Sequence, residues 1–147
     1  MGKALNMVWN VTFIIGTRPE AIKLCPLIKI FSLSNFFKTR IILTGQHSSI
    51  VHNVVELFEI NADEDWHILK QGQTLGSITR LVIEKLELEF SKNKADMVFV
   101  QGDTTTAFAS SLAAFYEKIP VAHVEAGLRT DSLAEPYPEE ANRRFIS

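Results

Sequence analysis

Short runs of β-branched and aliphatic residues alternate along this chain with longer stretches whose apolar residues recur at helical offsets, which predicts βαβ units around a parallel sheet. The first run is Val11 to Ile15. Gly16 and Thr17 follow it, and Pro19 suits the first turn of a helix because its missing N–H would be unpaired there anyway. Leu24, Leu27, Ile28 and Phe31 then mark one helix face, and this stripe keeps its phase across Pro26, so one helix bent at the proline is expected. A second strand, Arg40 to Leu43, leads through Thr44-Gly45-Gln46-His47 into a helix capped by Ser48 or Ser49 and carrying Val51, Val54, Val55 and Phe58.

Asn61 to Asp65 reads as a return loop and Trp66 to Leu69 as a short third strand. Gln71 to Thr74 forms a turn that caps the helix of Leu75, Ile78, Val82 and Leu86. Met97 to Val100 is a continuous apolar run of the kind buried on both faces of a parallel sheet. Gly102-Asp103-Thr104-Thr105 opens a helix whose stripe is Phe108, Leu112 and Phe115; Pro120 ends that connection, and Val121 to Glu125 is a fifth strand. After a loop from Gly127 to Pro138, Glu139 to Ile146 begins another helix, with Glu139 and Arg143, and Glu140 and Arg144, as four-apart ion pairs. That helix reads as still under way at Ser147, so the N-terminal part of something longer is expected.

Composition narrows the picture. The 147 residues, 46% hydrophobic and 22% charged, suit one domain with an ordinary core. Fifteen Lys and Arg against seventeen Asp and Glu leave a net charge of −2, so there is no overall basic field for nucleic acid or an anionic membrane, and an anionic ligand must be gripped locally. Cys25, the single cysteine, excludes an internal disulfide, fits a reducing compartment and reads as inert packing on a helix. Asn6 and Asn10 interrupt the apolar start of the chain, which lacks a cleavage site and falls short of the ~20 apolar residues of a membrane span. A cytoplasmic chain beginning at Met1 or Met7 is therefore expected.

In an open parallel sheet, ligands sit at the carboxyl ends of the strands, where loops meet helix N-termini. Gly16-Thr17-Arg18, Gly45-Gln46-His47, Gly102-Asp103-Thr104 and Glu125-Ala126-Gly127 all follow strands here. Free N–H groups at helix starts hold phosphate, and Arg18 can grip one bidentately with Lys23 further along its helix, although Arg18 could equally salt-bridge on the surface. Asp103 reads either as an N-cap or as a catalytic group. Val121, His123 and Glu125 share one side of their strand, so a buried Glu125 must be partnered or functional, while His123 reads as a satisfied, half-buried histidine. His52 and His67 show no partner spacing and read as surface residues. The helix dipole favours both Glu139 and Glu140, so only one of them needs a further explanation. No G-x-G-x-x-G follows the first strand, no G-x-x-x-x-G-K-[ST] occurs, and no cluster has metal-ligand spacing. Carboxylates around a phosphate grip point to proton transfer on a phosphorylated small molecule such as a nucleotide derivative, with Asp and Glu as acid and base.

Gly16-Thr17-Arg18-Pro19-Glu20-Ala21-Ile22-Lys23, Gln101-Gly102-Asp103-Thr104-Thr105-Thr106, His123-Val124-Glu125-Ala126-Gly127-Leu128-Arg129-Thr130 and Pro138-Glu139-Glu140-Ala141-Asn142-Arg143 together closely resemble the non-hydrolysing UDP-N-acetylglucosamine 2-epimerases. The resemblance runs from about Val11 to Ser147. It implies an α/β Rossmann-like parallel sheet with flanking helices, the N-terminal half of a glycosyltransferase-B-type two-domain fold, in a cytoplasmic homodimer that uses no nicotinamide cofactor. It further implies interconversion of UDP-N-acetylglucosamine and UDP-N-acetylmannosamine for cell-surface polysaccharide synthesis, by loss of the proton at the second sugar carbon and of UDP, then re-addition. By motif, Asp103, Glu125 and Glu139 are the catalytic carboxylates and Arg18 and Lys23 hold the nucleotide. Gln46 and His47 lie in the segment the family associates with a second, regulatory UDP-N-acetylglucosamine. There Ser48 and Ser49 replace the usual basic residue, and Leu81 stands where an arginine is usual, with Arg80 one place early. Both departures weigh against activation by substrate. With the family's second domain absent from the chain, little activity is expected of it alone. The competing readings are a non-catalytic nucleotide-sugar-binding or dimerisation module and a glycosyltransferase of the same architecture.

Overall fold

Alternation along β1 (Trp9–Ile15) decides how the molecule is layered. Val11, Phe13 and Ile15 face one side and Ile14 the other, and none is more than 2% exposed, so both faces of this strand are covered. The computed structural model describes residues 7–45, 49–68 and 70–147. Helices α1 (Arg18–Ser32) and α2 (Ser49–Leu57) pack on one face, and α3 (Leu75–Lys92) and α4 (Thr105–Tyr116) on the other. With β2 (Phe37–Leu43), β3 (Glu64–Asp65), β4 (Met97–Gln101) and β5 (Val121–Val124), the strands form one parallel sheet in the order β3-β2-β1-β4-β5. This is the Rossmann-like parallel sheet expected, and its order opens a crevice at the carboxyl ends of β1 and β4, where the winding reverses. Helix α5 (Glu139–Ile146) lies against α4. No helix among the described residues is long and apolar enough to cross a membrane.

Helix α1 runs unbroken through Pro26, with Leu24 and Ile28 buried and Leu27 and Phe31 packed around them. Phe13 stacks on Phe99 with ring centroids 4.6 Å apart, and Phe31 meets Phe13 edge-on at 5.7 Å. Cys25 is fully enclosed, and burial pushes its thiol up to about 11, the state of an inert packing residue.

Several expectations are corrected. The stripe Phe108, Leu112 and Phe115 faces away from the sheet, and Phe115 is 73% exposed; the buried face of α4 carries Ala107, Ser110, Ala113 and Ala114. Small side chains let α4 come close to both the sheet and α3, while its large residues line an outer groove with Phe145 and Ile146. The third strand is Glu64–Asp65 and not Trp66 to Leu69, although Trp66 N still bonds Leu43 O at 2.8 Å and Ile68 N bonds Thr44 O at 3.2 Å; Leu69 lies outside the described residues. Helix α2 opens at Ser49, and Ser48 is likewise not described. His52 and His67 are not without partners: His52 Nε2 lies 2.6 Å and His67 Nδ1 3.1 Å from the carboxylate of Asp65, which β3 places between them.

The amino end of the sheet is closed by charge. Arg40 binds Glu89, lies 3.1 Å from Glu64 and 3.8 Å from Asp63, and its guanidinium is held above its ordinary value, first by the hydrogen bond with Glu89. Beside this cluster lies a cavity of about 510 Å³ bordered by Lys38, Lys92 and Lys94.

Candidate active site

At the carboxyl end, three connections are pressed together through glycines. A Cβ on Gly16 would stand 2.9 Å from Thr106 Oγ1 and 3.0 Å from Thr44 Oγ1, and one on Gly45 would stand 2.7 Å from the Gly16 carbonyl oxygen. Only hydrogen at these positions lets the ends of β1 and β2 meet the start of α4. The β1–α1 turn is then tied from beneath by a residue that pattern reasoning passed over. Glu20, 1% exposed, accepts from Gly16 N at 2.5 Å and Thr17 N at 2.8 Å through one oxygen, and from Thr104 Oγ1 at 2.6 Å through the other. Burial pushes its carboxyl above the ordinary glutamate value while these donors pull the other way. The spacing Thr17-x-x-Glu20 is the capping-box signature, the signal that would have found it. One sequence reading changes as a result: the amides of Gly16 and Thr17 are already occupied, so they are not free for phosphate.

Above this layer opens a cleft of about 230 Å³ lined by Thr17, Lys23, Gln101, Asp103, Glu125 and Arg143 among others. Asp103 is not the cap of α4. Thr104 is, accepting from Ala107 N at 3.0 Å, and Asp103 instead binds Arg143, a side chain only 3% exposed. Asn142 Nδ2 adds a 2.8 Å bond to the Asp103 carbonyl, so α5 grips this turn through both backbone and side chain. The cap reading of Asp103 thus falls away, and a carboxylate facing a cleft is left.

Glu125 is also corrected. It stands one residue past β5 with φ +61°, and its side chain is 48% exposed rather than buried. A left-handed glutamate is strained, and such strain gathers at functional sites. It is partnered by Lys23 and by the amide of Gln101, another residue the sequence reading missed. His123 is satisfied as expected, with Nε2 2.6 Å from Gly102 O and Nδ1 3.2 Å from Ser147 Oγ.

On α5, the four-apart pair of Glu140 and Arg144 forms at 2.7 Å, but that of Glu139 and Arg143 does not. Arg143 turns instead to Asp103, to Leu128 O at 2.8 Å and to Glu140 at 3.1 Å. Glu140, 0% exposed, also accepts from Thr130 N at 3.1 Å; the Arg144 hydrogen bond leads in holding its carboxyl below the usual range. Of the two glutamates, Glu140 is therefore structural and Glu139 is the one needing another explanation. Glu139 Oε2 is buried with no hydrogen-bond partner among the described residues. The Arg18 side chain is exposed and makes no ion pair among the described residues. Gln46 and His47 lie outside the described residues. Asp103, Glu125 and Lys23 thus meet in one cleft, where Asp103 is paired with Arg143 and Glu125 with Lys23, while Arg18 and Glu139 are not among the residues that line it.

A family model described as UDP-N-acetylglucosamine 2-epimerase matches residues 31–147. UDP-N-acetylglucosamine 2-epimerase of Neisseria meningitidis is 50% identical over 138 residues, 94% of this chain and 37% of that protein; the Escherichia coli K12 protein is 49% identical over 134 residues, 91% and 36%. The crystal structure of the Neisseria meningitidis enzyme bound to UDP-GlcNAc superposes with a TM-score of 0.89, 93% of this chain on 37% of that one. The Methanocaldococcus jannaschii enzyme in complex with UDP-GlcNAc and UDP is 38% identical and gives 0.85, again over 93% of this chain and 37% of that one. The chain spans just over a third of the length of the curated relatives it matches.

Proposed function

Because the chain belongs to the UDP-N-acetylglucosamine 2-epimerase family, we propose that its cleft serves the non-hydrolysing epimerisation of UDP-N-acetylglucosamine to UDP-N-acetylmannosamine. In this reading Asp103, Glu125 and Glu139 exchange protons with the sugar, and Arg18 and Lys23 face the diphosphate. A base takes the proton from the second sugar carbon, and the bond from the first carbon to UDP breaks, leaving a glycal. UDP then adds back as a proton arrives on the opposite face, so atoms and charge balance over the cycle. The departing diphosphate gains negative charge in the first step, and cations aimed at it lower that barrier. Lys23 pairs with Glu125 and keeps further N–H donors on the same ammonium for the diphosphate.

The observation that supports this reading is three carboxylates in three different environments: Asp103 and Glu125, which line the cleft just past β4 and β5, and Glu139, which opens α5 outside the cleft lining. Asp103 is bound to a buried arginine, Glu125 is held by a lysine and an amide, and Glu139 has an open buried oxygen. Groups so differently placed can divide acid and base work. The remaining two thirds of the relatives' length supplies the facing domain of a glycosyltransferase-B-type cleft, and the working form is a cytoplasmic homodimer making polysaccharide precursors. Gln46 and His47 are the segment to probe for a regulatory nucleotide sugar.

The test joins this chain to the remaining part of the Neisseria meningitidis relative and supplies UDP-N-acetylglucosamine in D2O with no acceptor. The manno epimer carrying deuterium at the second sugar carbon is expected. Absence of the epimer, with binding of UDP-sugar by calorimetry retained, would favour a non-catalytic binding module instead.

A further inference from the structure

Two connections bring groups of the proposed site: the β1–α1 turn leads into α1, which carries Arg18 and Lys23, and the β4–α4 turn carries Asp103. The Glu20 carboxylate lies between them, 84 residues from Thr104 in sequence yet 2.6 Å from its hydroxyl. Thr104 Oγ1 already accepts from Ala107 N, so its single proton is left to give, and only an acceptor can receive it. Gly16 N and Thr17 N are donors too. Three donors from two turns thus converge on one group, which suits a carboxylate and not an amide. The amino ends of α1 and α4, both with positive dipole ends, share this internal anion.

We propose that Glu20 is a positioning residue for the epimerisation proposed above, an internal anion that locks the turn carrying Arg18 to the turn carrying Asp103 so that cation and carboxylate keep their spacing through loss and return of UDP. The inference rests on that reading of the cleft. It also assigns the diphosphate to side chains: the Gly16 and Thr17 amides serve Glu20, so Arg18 and not a backbone nest is what an anion meets at the start of α1.

The test uses Thr104→Val, which keeps the side-chain shape and removes the hydroxyl, and Thr104→Ser, which restores it. Val82→Ala, in the core beneath α3 and in neither turn, serves as a control for general loosening. In the enzyme completed with the Neisseria meningitidis part, Thr104→Val is expected to lower kcat by about tenfold or more with KM within about threefold, because misplacement harms the transition state more than binding. Thr104→Ser should return kcat to within about threefold of the parent, and Val82→Ala should leave both constants near the parent's. In this chain alone, Thr104→Val should speed amide hydrogen exchange at Gly16 and Thr17 by about tenfold while Phe13 and Ile14 stay protected. Equal kcat for Thr104→Val and Val82→Ala, or unchanged exchange at Gly16 and Thr17, overturns the proposal. A completed parent enzyme that does not epimerise overturns the proposed function, and the exchange measurement still decides whether Glu20 links the turns.

Discussion

The two ends of the sheet both hold clusters of charge, and they differ in how far those charges are satisfied. At the amino end, Arg40 sits among Asp63, Glu64 and Glu89, and each of these carboxylates has it as a partner. At the carboxyl end, among the described residues, Glu139 keeps a buried oxygen without a hydrogen-bond partner and the Arg18 side chain stands exposed and unpaired, while Glu125 is held in a left-handed conformation. The larger cavity, about 510 Å³, lies at the first end and the smaller, about 230 Å³, at the second. Size is therefore a poor guide here. An open buried oxygen, an unpaired cation and a strained backbone mark a candidate site, whereas a fully paired ion cluster has less bonding capacity to offer a ligand.

Substitutions can break this contrast. The largest expected effect is on turnover: Asp103→Asn should lower the epimerase activity of the completed enzyme by about 100-fold or more, since proton-transfer groups contribute on that scale. Arg40→Leu should leave activity nearly intact but reduce stability by about 2 kcal/mol in urea unfolding, because Glu89 loses its cation while only partly exposed neighbours remain. An Arg40→Leu enzyme that is folded but inactive would erase the distinction between the two ends. Gly16→Ala comes next. Its Cβ would crowd Thr106 and Thr44, and a loss of about 1–2 kcal/mol is expected, whereas Gly76→Ala, in open space on α3, should be neutral or slightly stabilising.

Smaller effects sharpen the picture. Glu125→Gly relieves the left-handed strain and should leave the thermal midpoint unchanged or raise it by the equivalent of under about 1 kcal/mol, while activity falls sharply. A large drop in midpoint would instead make Glu125 a structural residue. The smallest effect is seen only in acid. Glu140 releases its proton more readily in the folded chain than an ordinary glutamate at 4.5, so its contribution is complete above that pH and is lost as pH falls through its lower folded value. Glu20 has the opposite sign: its carboxyl is raised, so its contribution is complete below the ordinary value and lost as pH rises through the folded one. Thermal midpoints between pH 7 and pH 3 should therefore fall less steeply for Glu140→Gln than for the parent.

Much of the scaffold was legible in the sequence because it rests on local pattern. The runs at Val11 and Met97, the helix that continues through Pro26 and the cap at Thr74 all follow from periodicity and backbone chemistry within a few residues. Helix α4 was misread because hydropathy favours its face of Phe108, Leu112 and Phe115, whereas close approach to a sheet buried on both faces favours alanine and serine. Arg143 was misread for a related reason: four-apart spacing offers it Glu139, but its long side chain reaches Asp103 from the next connection. Motif and spacing alone left Asp103 as cap or catalyst, and only the structure gives the cap of α4 to Thr104.

By itself the sequence determined the helices and every strand but the third, their parallel winding and the clustering of polar residues after the strands, since each depends on neighbours within a turn or two of chain. Only the tertiary structure decided what those residues touch. Lys23 and Glu125 are 102 residues apart, Glu20 and Thr104 are 84, and Asp103 and Arg143 are 40. No periodicity spans such distances. Which carboxylate is held, which is strained and which keeps an open oxygen is settled by packing between connections, where the glycines at 16 and 45 let three loops meet.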